Sequence, residues 1–169
     1  MAVEIASSGQ LDEAQLDEIE RRLGLPLPDD YRRWLAQTNG GKPARAAVLP
    51  GLNFRWEHRA YGLRPDEPLS DLVYCYGYFR DRFPAAWLPV APLSGGILAV
   101  KVQGEQAGSV WYWDADEPGE GEEDPGELER RLRFCAASWE EFLQGLRPSG
   151  WDADEQAEEE LLRRMQIDF

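Results

Sequence analysis

The sequence predicts a single α+β domain, and three observations carry that reading. Two amphipathic helical segments open the chain, a pair of apolar strands follows near residues 97–113, and a capped helical segment begins at Ser138. A chain of 169 residues fits one domain, and its 43% hydrophobic and 11% aromatic content is enough to build a core.

Leu11 to Leu23 reads as the first helix, with Leu16, Ile19 and Leu23 on one face. Asp12 and Glu13 fall at its start and Arg21 and Arg22 at its end, which suits the helix dipole. Gly24 is placed to end it. A second helix is expected near Pro28, whose missing N–H costs nothing in a first turn. Tyr31, Trp34 and Leu35 form its apolar stripe, and Asn39-Gly40-Gly41 closes it. Leu52, Phe54 and Trp56 alternate with Asn53, Arg55 and Glu57, the period of a half-buried strand.

From Leu69 the pattern is ambiguous: Val73, Tyr74, Tyr76 and Tyr78 suit a strand, but Leu69, Leu72, Val73, Tyr76, Phe79 and Phe83 fit helical spacing better, with Ser70 as the expected cap. Leu88–Ala91, Ile97–Val102 and Val110–Trp113 read as strands, the last two joined by a glycine-containing hairpin connection. Residues 115–126 are expected to be an exposed loop, and Glu127–Arg133 a short helix with Leu128 and Leu132 four apart. Ser138-Trp139-Glu140-Glu141 has capping-box spacing before Phe142, Leu143 and Leu146. Pro148-Ser149-Gly150 breaks that helix, and an acidic helical tail is expected to end the chain.

The formal charge of −14 is concentrated. Residues 114–129 hold nine acids and residues 152–160 six, both without a base. Setting those 15 aside leaves 17 acids against 18 bases, so the body is nearly neutral. Such a field disfavours nucleic acid and anionic membrane, and it attracts basic partners. No apolar run approaches the roughly 20 residues that span a bilayer, and a cytoplasmic setting suits the two cysteines. The segment Trp-Asp-Ala-Asp-Glu occurs at 113–117 and again at 151–155. The flanks differ, so the recurrence is not a solenoid repeat.

Catalytic chemistry finds little support. His58 is the single histidine, and neither cysteine lies at zinc-ligand spacing from it. Cys75 and Cys135 read as buried apolar thiols, because a reactive thiolate needs an electropositive setting. Asp114-Ala115-Asp116 begins like a calcium loop, but Pro118 and Pro125 occupy positions where oxygen ligands are required. No phosphate-cradling motif or nucleophile elbow is present. The expectation is therefore no catalytic, metal or cofactor-binding residue, and no cofactor.

Several of these pieces, in order, resemble the SUKH superfamily, which includes a yeast cell-wall assembly regulator and many bacterial immunity proteins. They are Ile19-Glu20, Leu23-Gly24, Leu27-Pro28-Asp29-Asp30-Tyr31, Trp34-Leu35, Asn39-Gly40-Gly41, Leu88-Pro89-Val90-Ala91, Gly95-Gly96, Gly108 to Asp114, and Ser138 to Leu143. The resemblance implies helices packed on a mostly antiparallel sheet over residues 1–147, with 148–169 as an acidic helical extension. It also implies no enzymatic activity, and for bacterial members an immunity role through binding a toxin domain. A housekeeping regulatory or scaffold module is the alternative. The family motifs read as structural, so candidate partner-binding residues come from charge and aromatic placement. They are Trp111, Trp113, Asp114, Asp116, Glu117, Glu120, Glu122, Glu123 and Asp124. The expected partner is a protein, a toxin domain with a basic face. Nuclease toxins carry basic clefts for phosphate, so an acidic inhibitor can imitate the substrate's charge.

Overall fold

The computed structural model describes residues 3–80, 83–114 and 131–149. Its α+β architecture is organised around a four-stranded antiparallel sheet in the order β4 (Trp87–Leu93), β5 (Gly96–Lys101), β6 (Val110–Asp114), β7 (Leu132–Ala136). Before the sheet come β1 (Ile5–Ala6), α1 (Glu13–Leu23), α2 (Asp29–Thr38), β2 (Lys42–Pro43), β3 (Ala47–Val48) and α3 (Leu72–Phe79). After it come α4 (Trp139–Gly145) and β8 (Arg147–Pro148). Two small antiparallel pairs, β1 with β2 and β3 with β8, tie the first and last described segments to the body.

Helix α1 starts two residues later than the expected Leu11, because Asp12 is its cap. Asp12 accepts from the Gln15 N–H at 2.8 Å, and the Gln15 side chain accepts from the Asp12 N–H at 2.9 Å. Gly24 ends the helix in the left-handed conformation (φ 74). Helix α2 is locked against α1 by Arg32, which donates to Glu20 at 2.6 Å, Asp17 at 2.8 Å and Glu13 at 3.0 Å. Glu20 also accepts from the Leu27 N–H at 2.9 Å, so it fixes the connection between the two helices. These contacts hold the Arg32 guanidinium above its ordinary pKa, the Glu20 hydrogen bond contributing most.

The main core lies between these helices and one face of the sheet. Tyr31, Trp34, Trp56, Trp139 and Phe142 form its aromatic centre, with Trp34 and Trp139 ring centroids 4.9 Å apart. Leu88, Val90, Leu98, Val100, Val110 and Tyr112 face it from the strands. Each large side chain buried this way stabilises the fold by about 1.5–3 kcal/mol.

Three segments differ from the sequence reading. Residues 52–57 keep their alternating burial, yet they make only isolated bridges, Trp56 with Ala47 and Arg55 with Ser94. Two partners lying on different segments leave no continuous ladder. Helix α3 is capped by Asp71, whose side chain accepts from the Tyr74 N–H at 3.0 Å, while Ser70 belongs to the preceding short 3-10 turn. Leu132 and Arg133, expected at the end of a helix, belong to β7, which pairs with β6. The expected loop at 115–126, residues 127–130 of that helix and the tail helix lie outside the described residues, and Arg131 is in a turn.

Candidate protein-binding face

Strand β6 sorts its side chains by alternation. Val110 and Tyr112 enter the main core, and Trp111 and Trp113 project to the other side of the sheet. There the register sets Trp111 beside Ala99 and Phe134, and Trp113 beside Ile97 and Leu132. A second apolar cluster results: Phe83, Trp87, Ile97, Ala99 and Leu132 are buried, with Trp111 and Trp113 packed against them.

Trp111 is half-buried and held edge-on between two rings. Its centroid lies 5.8 Å from Trp87 and 5.4 Å from Phe134, with interplanar angles of 83° and 85°. Its Nε1 donates to Ser109 Oγ at 2.7 Å, which fixes the ring's rotation. Trp113 is also half-buried, and among the described residues its buried Nε1 has no acceptor. Lys101 Nζ stands 5.0 Å over the Trp87 ring, a cation–π contact at the far end of the row. Phe134 is 48% exposed, an aromatic ring presented to solvent from a rigid strand.

Of the candidates proposed from sequence, the structure brings Trp111 and Trp113 onto one face and sets half-buried Asp114 at the end of the same strand. Asp116, Glu117, Glu120, Glu122, Glu123 and Asp124 lie outside the described residues. Phe134 and Trp87 went unrecognised as part of this face. The signal for Phe134 is the apolar alternation Leu132, Phe134, Ala136, which the acidic stretch before it obscures.

The histidine and the two thiols lie on separate segments. His58 is exposed. Burial pushes the Cys75 thiol up to about 11 and the Cys135 thiol up to about 12, so both stay protonated at neutral pH. Among the described residues no group of three or more His, Cys, Asp or Glu side chains is arranged to hold a metal, and no helix is long and apolar enough to cross a membrane.

The Asn39-Gly40-Gly41 segment is structural and sits apart from the aromatic row. Asn39 takes the left-handed conformation (φ 47) and its Oδ1 accepts from the Leu63 N–H at 2.7 Å. A Cβ at Gly40 would press into the Ala60 carbonyl oxygen, and one at Gly62 into that of Asn39. The glycines allow two backbone segments to touch.

The model of the SMI1 / KNR4 family (SUKH-1) matches residues 10–145. No curated protein matches the chain.

Proposed function

The chain belongs to the SMI1 / KNR4 family (SUKH-1), and from that premise we propose that it is a non-enzymatic immunity protein acting in the cytoplasm. It binds a toxin domain with a basic face and occludes it. One observation carries this reading: Phe134, half exposed, stands on Trp111 in the strand pair that flanks the acidic segment 114–124. Rigid aromatic rings at the centre and charge at the edge are the ingredients of a tight protein interface.

The two parts act differently. Asp114, Asp116, Glu117, Glu120, Glu122, Glu123 and Asp124 raise the encounter rate with a basic surface, in a salt-dependent way. Phe134 and Trp111 govern how long the complex lasts, since desolvated aromatic anchors act mainly on dissociation. The test is protection: co-expression with a toxin domain encoded beside this chain's gene should restore growth, and the purified pair should form a stable complex. Binding without protection, or protection without binding, contradicts occlusion as the mechanism.

A further inference from the structure

Helix α3 lies at the surface yet carries no charged side chain. It packs against β4, and only Leu72 and Cys75 of its eight residues are buried. Tyr74, Gly77 and Tyr78, at spacings i, i+3 and i+4, form its exposed side. Among the described residues the large hydrophobic side chains that are exposed are Leu69, Tyr74, Tyr78 and Phe134, so three of the four fall within residues 69–78. A helix that is apolar on all sides belongs in an interior, and this one has a single side covered.

Gly77 is a second, independent observation. Its backbone is helical, and a Cβ placed on it would meet nothing within 4 Å. Neither conformation nor packing within the chain calls for a glycine there, although glycine weakens an exposed helix interior. It leaves a hollow between Tyr74 and Tyr78 where another backbone can approach closely. The two ends of the helix also differ in charge. Exposed Asp66 precedes it and exposed Arg80 follows it, and among the described residues neither side chain forms an ion pair.

We infer that the exposed side of α3 is a self-association surface, on which a second copy of this chain packs antiparallel about a two-fold axis. Tyr74 of each copy fills the Gly77 hollow of the other, and Asp66 of each stands beside Arg80 of the other. A face that carries both knob and hollow, with an acid at one end and a base at the other, is complementary to itself when turned through half a circle. That is the condition for an isologous dimer. A basic partner finds little to match here, since the excess acids belong to 114–129 and 152–160. An eight-residue helix is only about 12 Å long, so the contact is small and the dimer weak, dissociating at micromolar concentrations or above. Phe134 lies on β7, at the opposite edge of the sheet from β4, so the pairing leaves that ring free. The inference does not depend on the proposed function.

The test is sedimentation equilibrium of the full chain from roughly 1 μM to 1 mM, over which the mass should rise from one chain towards two. Gly77→Gln fills the hollow and should raise the dimer dissociation constant about tenfold or more, while the melting temperature of dilute protein holds or rises. Arg80→Glu and Asp66→Arg each set like charges against each other at both ends of the dimer, so each alone should weaken association several-fold. An equimolar mixture of these two variants should regain association near the wild-type strength, because every mixed dimer restores both unlike pairs. That readout stands even where Gly77→Gln disturbs the helix. A single-chain mass at every concentration would overturn the proposal and give the face to another protein or to another segment of this chain. So would a dimer that Gly77→Gln leaves unchanged, or a mixture of the charge variants no tighter than its components, either of which would put the contact on a different surface.

Discussion

The Arg64 guanidinium donates to the Asn39 carbonyl oxygen at 2.6 Å, and through its remaining N–H groups to Gly40 at 2.9 Å, Ala60 at 2.9 Å and Ser70 at 3.0 Å. One side chain, 8% exposed, thus satisfies four backbone carbonyls from three segments. Buried Asp71 completes the junction, accepting from the Arg64 N–H at 2.8 Å. The burial pulls the Arg64 pKa down from its ordinary value, the direction expected when a cation loses water.

Arg64→Met should therefore be among the most damaging substitutions in the chain. It leaves the Asn39 and Ala60 carbonyls without a donor, while those of Ser70 and Gly40 keep the Gly62 N–H at 3.1 Å and the Ser8 hydroxyl at 3.4 Å, at about 1–3 kcal/mol for each carbonyl left buried and unpaired. Arg64→Lys should recover only part of this, since an ammonium has three donors on one atom. Urea midpoints of the two variants check the order; a midpoint for Arg64→Met equal to wild type would remove the junction from the stability account.

Two neighbouring aromatic residues on α2 should respond in opposite ways. Trp34→Ala opens a cavity beside Trp56 and Trp139 and should cost ~3–5 kcal/mol. The Tyr31 hydroxyl is buried with no hydrogen-bond partner among the described residues, and that burial raises its pKa. Tyr31→Phe keeps the ring against Trp139 and deletes the unpaired group, so stability should hold or rise by about 1 kcal/mol. A loss of more than that would reveal a partner for the hydroxyl.

Alkaline pH should weaken the fold through its thiols. An unfolded cysteine ionises near about 8.5, whereas Cys75 and Cys135 are held up to about 11 and about 12 by burial. As pH rises past the lower value the unfolded state gives up protons first. The thiol contribution is therefore complete below it and drains away up to the two folded values. Urea midpoints between pH 8 and 11 should fall, and the Cys75→Ala, Cys135→Ala double variant should fall less steeply. Both thiols are free in the structure, so thermal melts with and without reductant should coincide.

Much of this architecture is legible in the sequence, and the exceptions share a cause. Leu16, Ile19 and Leu23, then Tyr31, Trp34 and Leu35, announce α1 and α2 because a helix on a core needs a repeating apolar face. The β5–β6 hairpin is equally plain, its strands being apolar and its connection rich in glycine. What stayed hidden depends on distant partners. Burial of Phe54 and Trp56 alternates as in a strand, but ladder formation requires a continuous neighbour. Arg64 looks like any surface arginine until Asn39, Gly40, Ala60 and Ser70 converge on it. Phe134 joins the aromatic face only through its register with Trp111.

The central claim is that the aromatic face of β6 and β7 holds a basic partner which the acidic segment attracts. The most direct measurement is association and dissociation of the cognate toxin domain at low and moderate salt, for wild type and two variants. Phe134→Ala, at a half-exposed ring, should leave the melting temperature nearly unchanged and raise the off-rate about tenfold or more, equivalent to ~1.4 kcal/mol. Replacing Asp114, Asp116, Glu117, Glu120, Glu122, Glu123 and Asp124 with Asn or Gln should lower the on-rate and flatten its salt dependence. Off-rates and on-rates indistinguishable from wild type in both variants would contradict the claim and exclude this face as the binding surface.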